Sequence, residues 1–164
     1  MVDAADSKAS HNGRMDPVDD DSTYLRRAFA AARTARAAGD MPFGAVLVRD
    51  GRAVWTARNR QNTSGDPSAH AEMVLVREAC AALGADGLRG ATVYASGEPC
   101  VLCAGAMFWA GVTRIVFGAP TPDMEQRLGG PLLRLRCAET LARAEPPVTV
   151  EGPLLLDEAL EALR

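Results

Sequence analysis

Apolar residues recur at helical spacing from Thr23 to Ala38, with Asp21 or Ser22 placed to cap the start and Gly39 to end it; this predicts a first helix. The period then shortens. Phe43 to Arg49 reads as a strand, Asp50-Gly51 as a tight hairpin turn, and Arg52 to Ala57 as the returning strand. A polar, turn-rich stretch follows from Arg58 to Ser68. Beyond it the pattern predicts a helix from Ala69 to Leu83, a buried strand at Thr92 to Ser96, and a helix from Pro99 to about Ala110 that Gly111 stops. Thr113 to Gly118 reads as a strand, Ala119 to Pro131 as a loop, Leu133 to Ala144 as a helix, Val148 to Val150 as a short strand and Asp157 to Leu163 as a last helix.

Strands that alternate with helices of this length predict an α/β fold, with right-handed crossovers and a mostly parallel sheet covered on both faces. The hairpin would add an antiparallel edge. Residues 1–21 show no periodicity and are rich in aspartate, so they read as a disordered acidic leader, with one domain over 22–164.

Composition narrows the class. The chain is 48% hydrophobic and 24% charged, an ordinary balance for a water-soluble domain. The formal charge of −3 comes from the leader, where six aspartates face Lys8 and Arg14; residues 23–164 then carry +1. Near neutrality provides no broad basic field for nucleic acid. The first residues hold no apolar run, and Val101 to Val112 is too short to span a bilayer, so the expectation is a cytoplasmic protein away from membranes. Cys80, Cys100, Cys103 and Cys137 do not form a secreted disulfide framework; one close pair and two isolated thiols read as two metal ligands and two small buried residues.

Two stretches carry chemistry: Ala69-His70-Ala71-Glu72 and Glu98-Pro99-Cys100-Val101-Leu102-Cys103. His70 is the one histidine outside the leader. Either stretch alone is ambiguous, since a histidine can cap a helix and a C-x-x-C pair can serve redox chemistry or packing. Both, however, fall at predicted helix N-termini, where exposed N–H groups and the helix dipole favour thiolate. One imidazole and two thiolates make the three-ligand set of catalytic zinc, which keeps its fourth position for water. Cys80 lies ten residues along the helix from His70, roughly 15 Å away. Cys137 stays open as a further ligand. Glu72 is suited to move protons from water to a leaving amine, and equally suited to favour the helix N-terminus.

These residues form the H-x-E…P-C-x-x-C signature, and the chain resembles the zinc-dependent cytidine/deoxycytidylate deaminase-like superfamily in its guanine, cytosine and tRNA adenosine deaminase branches. Pro42 to Val46, Asn59, Asp66 to Glu72, Glu98 to Ala106, Arg114 to Gly118 and Val148 to Gly152 match its blocks in order, over about residues 23 to 164. The resemblance implies a three-layer α/β/α cytidine deaminase-like fold with a mixed five-stranded sheet, usually dimeric. It also implies one Zn2+ per chain on His70, Cys100 and Cys103, with Glu72 catalytic. Asn59, Phe43, Trp109, Ala71 and Asp123 fall at positions that would contact or enclose the base. Read from the residues alone, Asn59 can also be a loop cap, and Phe43 and Trp109 can be core.

Phe43, Phe108-Trp109 and Asp123 are more similar to guanine deaminases than to tRNA adenosine deaminases. Guanine deaminases also cover the pocket with an aromatic C-terminal tail, whereas this chain has no aromatic residue after Phe117. From residue 132 onward four basic residues face six acidic ones, a poor match to phosphate. The expected activity is therefore hydrolytic deamination of a guanine- or cytosine-like free base or nucleoside by a homodimer, with tRNA the alternative substrate. A non-catalytic structural zinc module would want a fourth ligand and a basic or aromatic surface.

Overall fold

The computed structural model describes residues 20–130 and 133–164. The leader read over residues 1–21 thus lies outside the described residues up to residue 19. Its last two residues belong to the fold. Helix α1 spans Asp21–Ala37, and the Asp20 carboxylate caps it by accepting the Thr23 N–H at 2.8 Å. The predicted caps sit one or two residues too late, because Asp21 is engaged elsewhere. Tyr24, Leu25, Ala28, Phe29, Ala32 and Ala35 form the buried face of α1.

Strand β1 (Gly44–Arg49) turns through Asp50 and Gly51, both at positive φ, into β2 (Arg52–Arg58), the geometry a two-residue hairpin needs. Strands β3 (Thr92–Gly97), β4 (Arg114–Ala119) and β5 (Thr149–Glu151) complete one five-stranded sheet in the order β2-β1-β3-β4-β5. β1 is antiparallel to both β2 and β3, whereas β3, β4 and β5 run parallel. The sheet is mixed, as the resemblance implies. The mostly parallel sheet expected from alternation is corrected, since β1 lies inside the sheet and contributes two antiparallel pairings.

Five buried positions in a row in each of β1 and β4 show a sheet covered on both faces. On one face α1 and α7 (Leu156–Ala162) pack Leu25, Phe29 and Leu163 over Val46, Tyr94 and Val116. On the other, α3 (Ala71–Leu83), α4 (Val101–Trp109) and α6 (Cys137–Thr140) cover Leu47, Val93 and Ile115 with Leu75, Met107 and Leu141. Gly44 allows the closest approach: a Cβ there would lie 2.3 Å from the Ala28 carbonyl oxygen.

Three further assignments change. The polar stretch after β2 contains a single turn, α2 (Gln61–Ser64). The loop read at Ala119 to Pro131 contains α5 (Thr121–Leu128), because Pro122 sits in the first turn, where its missing N–H costs nothing. The helix read at Leu133 to Ala144 shrinks to α6. Among the described residues, no helix is long and apolar enough to cross a membrane.

Candidate active site

The two motifs meet because each begins a helix on the same face of the sheet. His70 is the N-cap of α3 and Cys100 the N-cap of α4, both with extended backbone and neither side chain spent on capping. His70 therefore leaves the helix before its regular spiral begins. That is why His70 and Glu72, two residues apart, point to one place; in a continued helix they would diverge.

His70 Nδ1 stands 3.5 Å from Cys100 Sγ and 3.5 Å from Cys103 Sγ, and the sulfurs are 3.7 Å apart. A tetrahedral zinc with ordinary Zn–S and Zn–N bonds requires S–S and N–S edges of about 3.8 and about 3.6 Å. The three donors fit that ion. Among the described residues they are the one group of at least three His, Cys, Asp or Glu donors within 4.8 Å of one another. Hydrogen bonding from Cys103, together with His70, pulls the Cys100 thiol down to about 4, whereas the bond to Cys100 and burial push Cys103 well up. His70 is raised by its contact with Cys100. Donors so placed share protons, the state that a divalent cation relieves on binding.

Glu72, in the first turn of α3, is 7% exposed, and its Oε2 lies 3.5 Å from Cys103 Sγ. Burial pushes its carboxyl up to about 7, reinforced by the charge of Cys100 and opposed by a backbone hydrogen bond and by His70. Cys137 is buried nearby but outside the donor group, and burial with the charges of Glu98, Glu72 and Cys100 lifts its thiol to about 12.

The remaining predicted residues divide. Asn59 is fully buried; its Oδ1 accepts the Gln61 N–H at 2.9 Å and its Nδ2 donates to Gln61 Oε1 at 2.7 Å. Gln61 Nε2 donates onward to the Pro67 carbonyl at 2.8 Å, so the loop-cap geometry is present. Phe43 is half-buried beside Gly97, and its carbonyl accepts the Asn59 N–H at 2.9 Å. Ala71 is fully buried at the start of α3, and Asp123 is half-buried in the first turn of α5. Trp109 is not brought to the site. It is 85% exposed at the far end of α4, six residues and ~9 Å of helix beyond Cys103, edge-on to Phe108. Within one chain it encloses nothing at the cluster.

Sequence reading missed a second constellation. The Glu98 carboxylate, 2% exposed, accepts the Thr121 N–H at 2.9 Å, the Thr121 hydroxyl at 3.0 Å and the Cys137 N–H at 3.0 Å, and pairs with Arg136 at 2.7 Å. The one available signal was a carboxylate at the end of a buried strand, directly before Pro99-Cys100.

Residues 18–119 match the family described as the cytidine and deoxycytidylate deaminase zinc-binding region. The chain is 44% identical over 102 residues to a tRNA-specific adenosine deaminase of Bacillus subtilis, a match covering 62% of this chain and 63% of that protein. It is 42% identical over 102 residues to a guanine deaminase of the same organism, covering 62% and 65%. The alignments therefore span less than two thirds of either relative. In structure it resembles a guanine deaminase from Nitrosomonas europaea, with a TM-score of 0.74, 29% identity, and coverage of 91% of this chain and 83% of that one.

Proposed function

Because the chain belongs to the cytidine and deoxycytidylate deaminase zinc-binding family, we propose that it removes an exocyclic amino group from a nucleobase-type heterocycle as ammonia, with one zinc per chain. The observation that carries this is the triangle of His70, Cys100 and Cys103 at tetrahedral edge lengths, with the Glu72 carboxyl buried beside it. Zinc bound there supplies the Lewis acidity that makes water a nucleophile near neutral pH.

Glu72 moves the protons. A carboxyl held near neutrality by burial can take a proton from the attacking water at one stage and give it up at the next. It passes that proton to the ring nitrogen, then carries the remaining hydroxyl proton of the added water to the departing amine, which leaves as ammonia while the C–N bond breaks and the carbonyl forms. Phe43, Ala71 and Asp123 are the proposed contacts to the ring, and Asn59 joins them where a ligand exchanges for Gln61 on its amide.

The substrate class we favour is a guanine- or cytosine-like free base or nucleoside. Of the four basic residues after position 132, Arg134, Arg136 and Arg164 are already paired with Glu125, Glu98 and Glu161, which leaves little cationic surface there for phosphate. The second reading, a tRNA adenosine substrate, is favoured by the 44% identity to the tRNA-specific relative. Four free thiols suit a reducing, cytoplasmic setting. Leu102, 44% exposed, and Trp109 share a helical face of α4 with Gly105 and Ala106, a surface suited to pairing with a second copy.

Ammonia release from guanine, cytosine, adenine, their nucleosides and a tRNA anticodon stem-loop tests the reading. Release from a free base or nucleoside is expected; release from the stem-loop alone selects the second reading.

A further inference from the structure

Glu98 lies where three helix starts converge. Its backbone N–H donates to the Ala119 carbonyl at 2.7 Å, which extends the β3–β4 pairing to the last residue before Pro99-Cys100. Its side chain reaches away from the strand and accepts from Thr121 at the start of α5 and from Arg136 and Cys137 at the start of α6. Residue 98 is thus held by its backbone on β4 and by its carboxylate on two helices. Two residues later, Cys100 delivers its sulfur with no capping bond of its own to fix it.

We propose that Glu98 is a positioning residue for the metal ligand Cys100, and that Arg136 and Thr121 serve the site by clamping the Glu98 carboxylate. This rests on the zinc reading above. A carboxylate that is 2% exposed holds its place while its donors are present, and loss of the Arg136 guanidinium leaves a buried anion short of its counter-charge. The cheapest relief is for the 98–100 turn to move toward water, and Cys100 moves with it. Thr121 contributes one hydroxyl donor besides its N–H, so its removal loosens the same clamp by less.

The test measures metal affinity and ligand geometry separately from turnover. Zinc affinity by chelator competition and the visible spectrum of the cobalt-loaded full-length protein are compared among wild type, Arg136→Met, Arg136→Lys and Thr121→Val. Groups that orient metal ligands are worth about 10- to 100-fold in metal affinity. Arg136→Met should weaken zinc by about that range and alter the cobalt bands, Thr121→Val should shift both the same way by less, and Arg136→Lys should recover most of the loss. If folded Arg136→Met binds zinc like wild type with an unchanged cobalt spectrum, Glu98 is only a structural tie and the proposal is overturned. Should Arg136→Met fail to fold, Thr121→Val decides: weakened zinc supports the proposal and unchanged zinc overturns it. A wild-type protein that binds no zinc defeats the metal reading itself, a result visible before any variant is made.

Discussion

Glu72 Oε2 lies 3.5 Å from Cys103 Sγ, although the two residues belong to the first turns of different helices and are 31 positions apart. The contact joins the carboxyl proposed to move protons to the donor set, and it exists because β3 and the chain before α3 deliver both helix starts to one end of the sheet. Burial raises the Glu72 carboxyl and the charge of Cys100 adds to the rise, whereas the hydrogen bond from Cys103 opposes it.

Loss of a donor should remove the metal. His70→Ala and Cys103→Ala are each expected to weaken zinc by more than about 100-fold, beyond the cost of losing an orienting neighbour. Elemental analysis after dialysis against a chelator checks this; a zinc-replete His70→Ala protein would take His70 out of the ligand set.

Acid should loosen the anchor of α1. Arg114 donates to both Asp21 carboxylate oxygens at 2.8 and 2.7 Å, and the Tyr94 hydroxyl adds a third bond at 2.6 Å. The hydrogen bonds from Arg114, against some burial and with help from Tyr94, bring the Asp21 carboxyl down to about 2. A folded value below the unfolded one of about 3.9 means that the stabilisation is fully present above pH ~4 and is lost as pH falls towards 2. Asp21→Asn should therefore destabilise by at most about 1 kcal/mol near neutrality, as for a partly exposed pair. Urea midpoints of the two proteins should converge as the pH is lowered to 2. A constant gap over that range would contradict the assignment.

Gly44→Ala should be costly for a different reason. Its new Cβ would stand 2.3 Å from the Ala28 oxygen and 2.6 Å from the Ala32 nitrogen, both backbone atoms of α1 that cannot yield without the helix moving. A loss of about 1–3 kcal/mol in urea unfolding is expected, with little change in zinc content.

Local signals were legible in the sequence, and distant partnerships were not. The Asp50-Gly51 hairpin and, to within two residues, the starts of α3 and α4 follow from turn residues and prolines that act within a few positions. Period-two burial tells which face a strand residue takes, never which strand lies beside it, so the β1–β3 pairing was out of reach. Helix α5 was obscured by Pro120, Pro122 and Gly129, which mark its two ends rather than a loop. In the site, the metal donors stood out because only a few residue types can bind zinc. The clamp on Glu98 did not, since Cys137 reaches it from 39 residues away.

In the proposed reaction Glu72 acts on protons beside a metal that it does not hold. Zinc content and ammonia release measured together on wild type and Glu72→Ala test this most directly, with the best substrate of the panel. About one zinc is expected in both proteins, with a fall in turnover of about 10²- to 10⁴-fold in the variant. A Glu72→Ala protein that keeps its zinc and still releases ammonia at the wild-type rate would contradict the proposed role of Glu72.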